Sequence, residues 1–136
     1  MGLKVKISTI PGSGKGLFTD SDIKKGDIIC EYEGEKMTWK ECQKRNEDQE
    51  GIGAYYFHIS DSNCVDAQFT LDAMGRYAND AKGMSKIKGL NNNAEYQVIK
   101  KKPYIVAKKN IKAGSEILVA YGAAYWKVMK EALKGI

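Results

Sequence analysis

Metal-ligating side chains are scarce in this chain of 136 residues, which contains one histidine and three cysteines. Cys30, Cys42 and Cys64 are odd in number, and no two of them are separated by only two residues. A structural zinc site takes four cysteine or histidine ligands and usually starts from a closely spaced pair. We therefore expect no metal site, and we predict that the cysteines are free thiols in a reducing compartment.

Long hydrophobic stretches are also missing. No apolar run approaches the roughly 20 residues that a membrane-spanning helix needs, and the N-terminal segment lacks the apolar core of a secretory signal. Hydrophobic residues make up 43% of the chain and charged residues 29%, which is typical of a globular domain. The sequence therefore predicts one intracellular domain, long enough to bury a sizeable core, with no membrane association.

Charge of one sign is not concentrated in any long block. The chain carries 22 basic and 17 acidic residues, a formal net charge of +5. The densest clusters, Lys100–Lys102 and Lys108–Lys109, are interpreted as solvated strand edges. Because no nucleic-acid-binding motif is present, direct nucleic-acid binding is not expected, although a basic surface can attract an acidic partner over long range.

Short strands dominate the hydrophobic pattern. Strands are predicted over 4–8, 27–32, 54–59, 64–67, 95–99, 104–108 and 115–121. A capping box from Thr38 to Glu41 predicts a helix from about Trp39, and a terminal helix is predicted over 123–133. A long loop is predicted over 79–93, which is rich in Gly, Asn and Lys. The absence of an alternating strand–helix rhythm argues against a doubly wound sheet.

One internal echo and one glycine-rich turn stand out. Residues 23–29 and 111–117 each place a turn glycine just before an apolar strand, which indicates a repeated turn and not a solenoid. The stretch Gly12–Gly16 fails the phosphate-loop pattern, because Gly16 follows Lys15 where serine or threonine is required. It is either a plain turn or a turn whose exposed backbone lies against a ligand.

Tyrosine is the abundant aromatic residue, with eight copies against three phenylalanines. Most of the tyrosines fall in predicted strands. They form either the rim of a β core or an aromatic channel whose hydroxyls point at a polar group. His58 lies in the aromatic stretch 55–58 without a cysteine or carboxylate motif, so a structural role is favoured over a catalytic one.

Taken together, four ordered blocks of the sequence resemble the SET domain of protein-lysine methyltransferases. The blocks are Gly14–Phe18 with Ile23–Asp27, then Tyr32–Gly34, then Gly75–Asp80 with Asn93 downstream, and finally Gly114–Gly122. Tyr55–Phe57 and Cys64–Ala67 resemble a middle segment of histone lysine methyltransferases. Each block is weak alone, but the ordered set is specific and extends over about residues 4–126.

The resemblance implies a mostly β fold of several small curved sheets with few short helices. Its C-terminal segment is expected to thread through a loop as a pseudoknot, which would bring Asn79 and Tyr121 together. Residues 1–136 would form a single SET domain, with a core over about 4–126 and a C-terminal helix over 127–136.

The resemblance also implies an activity, namely S-adenosylmethionine-dependent methylation of a lysine in a protein. The expected substrate is a histone tail or another lysine-containing protein, laid along a strand edge. The alternative is a non-catalytic SET-like protein-interaction module, with or without affinity for the cofactor. By analogy of fold, the expected location is the nucleus or a host nucleus, with the cytoplasm as the alternative.

Residue roles follow from the same resemblance. Tyr121 would be the catalytic tyrosine. Tyr32 and Tyr96 would line the channel for the substrate lysine, with Tyr55 and Tyr56 behind them. Val119 stands where some family members carry an aromatic residue that helps to set the number of methyl groups, so Tyr96 is expected to take that role. The expected cofactor-binding residues are Lys15, Gly16, Leu17, Arg76, Tyr77, Asn79, Asp80, Tyr121 and Trp126.

Two departures from the family pattern bear on the cofactor. Asp80-Ala81 stands where the family has His-Ser, which leaves cofactor affinity open. Residues 123–136 contain no cysteine-rich zinc segment, so either Trp126 with the helix after it or a second subunit of a homodimer is expected to close the pocket. Trp126 would then stack on adenine, and the alternative is that it anchors an amphipathic helix.

Overall fold

The computed structural model describes residues 2–48, 56–67, 69–81 and 89–121. In these ranges the chain is mostly β, which confirms the predicted fold class. The elements are β1 (Leu3–Ile7), β2 (Lys15–Thr19), β3 (Ile28–Glu31), β4 (Glu35–Met37), α1 (Trp39–Asp48), β5 (Tyr56–Ser60), β6 (Asn63–Asp66), a 3-10 turn (Met74–Tyr77), β7 (Ala94–Ile99), β8 (Lys102–Ala107) and β9 (Glu116–Ile117). No helix among the described residues is both long enough and apolar enough to cross a membrane.

The strands form three small antiparallel sheets, in the orders β1-β2-β9, β3-β8-β7 and β4-β6-β5. The sequence did not predict β2 or β4. β2 is buried at four successive positions, Gly16 to Thr19, so it lacks the alternation that marks a half-exposed strand. β4 has only three residues, too few to show a period.

Helix α1 begins as its capping box predicts. The Thr38 hydroxyl accepts the Glu41 N–H at 3.1 Å, and the Glu41 carboxylate accepts the Thr38 N–H at 3.0 Å. These bonds to Thr38 hold the pKa of Glu41 below its ordinary value. The helix is tied to the third sheet because Arg45 bonds Asp66 of β6 at 3.0 Å.

The main core joins the first two sheets. It consists of fully buried aliphatic side chains from both sheets and from the turns between them: Leu17, Ile23, Ile29, Ile105, Ile111, Ile117 and Val119. Tyr96 and Tyr121 pack on its partly buried flank. The core therefore supports one side of the aromatic residues expected at the site.

The two echoed sequence segments lie side by side. Ile23 and Ile111 exchange backbone hydrogen bonds, both 2.8 Å long. The turn glycines then make equivalent bonds, Gly26 N–H to the Ala107 carbonyl at 2.8 Å and Gly114 N–H to the Thr19 carbonyl at 2.7 Å. The echo is therefore a pair of matched turns that lock β2 and β8 at this end.

The C-terminal segment is threaded, as the resemblance implied. The predicted strand over 115–121 is regular only at Glu116–Ile117. Beyond it, Leu118 bridges Asn79 and Val119 bridges Ala94, both in parallel, so the segment runs between the two sides of a loop. Part of the predicted loop over 79–93 and the predicted terminal helix lie outside the described residues.

Candidate active site

The segment Ala78–Asp80, called the asparagine loop below, meets the C-terminal segment as expected. The Val119 N–H donates to the Asn79 carbonyl at 2.8 Å. Tyr121 is attached to the same loop at two points, because its N–H donates to the Asp80 carboxylate at 2.9 Å and its hydroxyl donates to the Ala78 carbonyl. Asn79 and Tyr121 therefore lie in the same site.

An aromatic cluster extends from the Tyr121 ring. Tyr121 stacks on Tyr96 with ring centroids 6.3 Å apart and an interplanar angle of 22°. The Tyr96 ring then meets Phe57 at 5.0 Å and Tyr32 at 5.9 Å, both nearly edge-on. Two of the predicted channel residues, Tyr32 and Tyr96, are thus brought together with Tyr121.

Phe57 belongs to this cluster and was not predicted. Its place in the aromatic stretch 55–58 was the signal available in the sequence, but successive side chains of a strand point to opposite faces, and the stretch does not indicate which face is directed at the site. Tyr55 and the side chain of Tyr56 lie outside the described residues. Val119 is fully buried in the core on which Tyr96 and Tyr121 pack.

The segments expected to hold a cofactor converge beside Tyr121. The Asn79 side-chain amide donates to the Lys15 carbonyl at 3.0 Å, which links the start of β2 to the asparagine loop. Leu17 is fully buried and pairs with Val5 of β1 and Ile117 of β9 in the central strand of its sheet, so no part of it is exposed to a ligand. Trp126 lies outside the described residues.

Arg76 and Tyr77 use their side chains within the protein. The Arg76 Nε donates to the Ala67 carbonyl at 2.9 Å, and its guanidinium lies 4.9 Å from the centre of the Tyr77 ring. The Tyr77 hydroxyl donates to the Leu71 carbonyl at 2.5 Å. Both side chains brace the segment before Asn79, which leaves their backbone as the part that can meet a cofactor.

Glu116 holds the first turn, which connects β1 to β2, and the sequence did not reveal this role. Its buried carboxylate accepts the Ser8 hydroxyl at 2.7 Å, the Thr9 hydroxyl at 2.6 Å and the Thr9 N–H at 2.9 Å. The Asn79 amide lies 3.4 Å from the same carboxylate. Glu116 therefore ties the glycine-rich turn to the asparagine loop, on the side of the site formed by Lys15.

Comparison with known proteins agrees with this arrangement. The model of the SET domain family matches residues 14–122. The chain belongs to the SET domain family. The match covers the opening turn, the asparagine loop and Tyr121, so the site lies within the part of the chain that defines the family.

The SET domain is also similar to curated lysine methyltransferases. It is 31% identical to N-lysine methyltransferase KMT5A-A of Danio rerio over 121 residues, or 83% of this chain and 33% of that protein. It is 28% identical to the Xenopus laevis protein of the same name over 127 residues, or 87% of the chain and 36% of that protein. Histone-lysine N-methyltransferase Set8 of Drosophila melanogaster is 29% identical over 82% of the chain and 16% of its own length. The chain thus spans about a third of the length of the KMT5A relatives.

The histidine and the cysteines were also considered in the sequence as possible site residues. His58 bonds Asp61 at 2.9 Å and packs edge-on against Trp39 with ring centroids 5.0 Å apart, and its structural role stays a prediction. The three cysteines are free thiols. Burial raises the pKa of Cys30 and of Cys42 to about 12, so neither thiol is ionised enough at neutral pH to act as a nucleophile.

Replacing Gly16 by alanine is expected to lower the free energy of unfolding by about 2 kcal/mol, the middle of the range for overpacking. A Cβ at this position would lie 2.3 Å from the Glu116 carboxylate and 3.2 Å from the Ser8 Cα. The carboxylate would have to move and would lose bonds to the first turn. Urea denaturation followed by circular dichroism measures the change.

The matched test of this prediction is Glu116→Asp, which withdraws the carboxylate by one methylene. If crowding is the cause, Gly16→Ala should cost less in the Glu116→Asp background than in the wild type. Equal costs in the two backgrounds would show that crowding against Glu116 is not the reason for glycine.

Proposed function

We propose that this SET domain is an S-adenosylmethionine-dependent protein-lysine N-methyltransferase in which Tyr121 is the catalytic residue. The observation that carries the proposal is the position of the Tyr121 ring. It ends an aromatic cluster on one side and is bonded to the asparagine loop on the other. A lysine side chain entering along the aromatic rings would therefore reach Tyr121 beside the backbone proposed to hold the cofactor.

The aromatic cluster addresses the main obstacle to lysine methylation, which is that only the neutral amine can attack. With an ordinary pKa of about 10.4, making the amine neutral at pH 7 costs about 4.6 kcal/mol. Surroundings of low polarity disfavour the ammonium form and reduce that cost. Tyr32, Phe57 and Tyr96 supply such surroundings with their ring contacts.

The Tyr121 hydroxyl is suited to orient the neutral amine. Its proton is donated to the Ala78 carbonyl, so toward a substrate the oxygen acts as a hydrogen-bond acceptor. A neutral amine has N–H groups to donate and keeps its lone pair free to attack. Holding the nitrogen in this way lines up its lone pair, and correct orientation is among the larger contributions to enzymatic rate.

The residues near Tyr121 fit the proposed cofactor. When bound, S-adenosylmethionine supplies an electrophilic methyl group on a positively charged sulfur. The faces of Tyr96 and Tyr121 are suitable neighbours for a cation. Backbone groups of Lys15, Gly16, Arg76, Tyr77 and Asp80, together with Asn79, would bind the amino-acid and adenine parts. Trp126 or a second subunit would close the pocket.

The charge distribution is compatible with a basic peptide as substrate. Exposed lysines cluster on the two matched turns. These turns contact Thr19 at one end of β2, whereas Lys15 at the other end of β2 contacts Asn79. A net charge of +5 therefore does not exclude a histone tail, and nuclear action would follow from such a substrate.

The non-catalytic alternative was based on Asp80, where the family pattern has histidine. The Asp80 carboxylate accepts the Tyr121 N–H, so this departure supports Tyr121 in its place and does not separate it from the loop. The enzyme interpretation is therefore favoured.

Mass spectrometry tests the function on a panel of two substrates, a core-histone mixture and a non-histone lysine-rich protein. Each substrate is incubated with the full chain and S-adenosylmethionine. We expect a mass increase of one or more methyl groups on a histone lysine. Methylation confined to a non-histone lysine-rich protein would contradict the histone substrate but keep the enzyme. Calorimetric binding of the cofactor without transfer to any protein of the panel would overturn the enzyme in favour of the module.

A further inference from the structure

Asp80 is a buried carboxylate that joins two parts of the site. Its side chain is 7% exposed. One carboxylate oxygen accepts the Tyr121 N–H at 2.9 Å, and the other accepts the Asn92 side-chain amide at 2.9 Å. Both oxygens are thus engaged by N–H donors from distant parts of the chain.

Asn92 extends this connection. Its side chain is 6% exposed, and its carbonyl oxygen accepts the Ala81 N–H at 2.7 Å. The next residue, Asn93, grips the threaded segment, because its side chain bonds the Leu118 N–H and the Glu116 carbonyl, both at 2.9 Å. Asp80 and Asn92 therefore link both sides of the loop to Tyr121.

We propose that Asp80 is a positioning residue for Tyr121, acting as one half of an Asp80–Asn92 brace that fixes the phenol for methyl transfer. This inference rests on the proposed function. Tyr121 is held at its N–H by Asp80, at its hydroxyl by the Ala78 carbonyl and on its ring face by Tyr96. Two of these three anchors come from residues 78–80, so the brace sets the hydroxyl relative to the asparagine loop.

The residue type follows from the number of acceptors required. A carboxylate can accept two N–H groups at once, whereas a neutral imidazole has a single acceptor nitrogen. The histidine of the family pattern could not accept both the Tyr121 N–H and the Asn92 amide. Aspartate at position 80 and asparagine at position 92 thus form a matched pair.

Asp80→Asn is the first test. An amide at position 80 has one acceptor oxygen, so its NH₂ group would face either the Asn92 NH₂ group or the Tyr121 N–H, and a bond is lost in either case. We expect kcat to fall by about tenfold or more, because small displacements of a catalytic group have large effects on rate. The KM values for peptide and cofactor should change by less than about threefold if the residue acts through Tyr121 and not on binding.

The swapped variant Asp80→Asn/Asn92→Asp is the matched control. In it the amide at 80 can accept the Tyr121 N–H and donate to the carboxylate at 92, which can still accept the Ala81 N–H. All three hydrogen bonds can therefore re-form while the charge moves from position 80 to position 92. We expect the swap to recover most of the lost kcat, whereas Asn92→Asp alone sets two carboxylates against each other and should not.

A second readout follows the Tyr121 amide directly in ¹⁵N-labelled protein. Its proton resonance should move upfield in Asp80→Asn, as expected for a weaker acceptor, and a comparable shift of the whole spectrum would instead indicate global rearrangement. If Asp80→Asn fails to fold, the swapped variant decides, because a folded swap with wild-type kcat supports the brace and a folded inactive swap overturns it.

The outcomes separate this inference from the proposed function. An active wild type with an equally active, folded Asp80→Asn variant overturns the positioning role and leaves the enzyme intact. A wild type that transfers no methyl group overturns the function, and the positioning role for catalysis with it, while the amide shift still decides whether Asp80 holds Tyr121.

Discussion

Replacing Tyr121 by phenylalanine is expected to reduce kcat for methyl transfer by about 100-fold or more, the usual effect of removing one hydrogen-bonding group that acts in the transition state. The change deletes the hydroxyl and keeps the ring that stacks on Tyr96. The neutral amine would then lose the acceptor that orients it, and the Ala78 carbonyl would lose its donor. Single-turnover transfer from labelled S-adenosylmethionine to a histone peptide measures the rate.

Tyr104→Phe is the matched control for this prediction. Tyr104 lies on β8 and pairs by its backbone with Gln97 and Glu31. The next residue, Ile105, faces the core on which Tyr121 packs, so Tyr104 points to the opposite face of the strand. The same chemical change there should leave kcat within about twofold of the wild type, as for most surface substitutions. If Tyr121→Phe retained wild-type activity, Tyr121 would not be the catalytic residue.

Replacing Arg45 by methionine is expected to lower the free energy of unfolding by about 3 kcal/mol. Arg45 bonds the fully buried Asp66 carboxylate at 3.0 Å and the Glu35 carboxylate at 3.0 Å and 3.1 Å. Methionine fills similar space but removes the cation from Asp66, and removing one partner of a buried ion pair costs about 3–5 kcal/mol. Urea denaturation of the purified variant gives the change.

Glu35→Gln measures how much of this effect comes from the exposed Arg45–Glu35 pair and how much from the buried Arg45–Asp66 pair. The Glu35 side chain is 47% exposed, and surface ion pairs contribute about 0–1 kcal/mol. We expect Glu35→Gln to cost well under half of what Arg45→Met costs. Equal costs for the two variants would show that the burial of Asp66 is not the source of the effect.

The stability contributed by the Arg45–Glu35 pair depends on pH. Hydrogen bonding to Arg45 lowers the pKa of Glu35 from its ordinary value of 4.5. A lowered pKa in the folded state means that the contribution is present above the ordinary pKa and is lost as the pH falls through the lowered value. The difference in stability between wild type and Glu35→Gln should therefore disappear in acid.

Local chemistry made several elements readable from the residues alone. The Thr38–Glu41 capping box predicted the start of α1, and alternation predicted β7 and β8 to within two residues. These signals are local because a cap or a strand face involves residues only a few positions apart. The ordered family blocks went further and predicted that Asn79 and Tyr121 would meet.

Other features depend on partners that are far apart in the chain. Glu116 bonds residues more than a hundred positions away, and a side chain at Gly16 would collide mainly with that carboxylate. Phe57 joins the aromatic cluster through a strand whose facing direction was not assigned. A single sequence carries no record of which distant polar groups will share a buried site, so such roles become visible only when the chain is folded.

The residues alone specified the mostly β character, the capped helix and the free thiols, because these depend on composition and short-range periodicity. The family blocks were found by their resemblance to the SET domain. Folding decided which of those residues act together. Threading places Tyr121 between Ala78, Asp80 and Tyr96, and this grouping arises because a buried polar group must find a partner wherever the packed core brings one within reach.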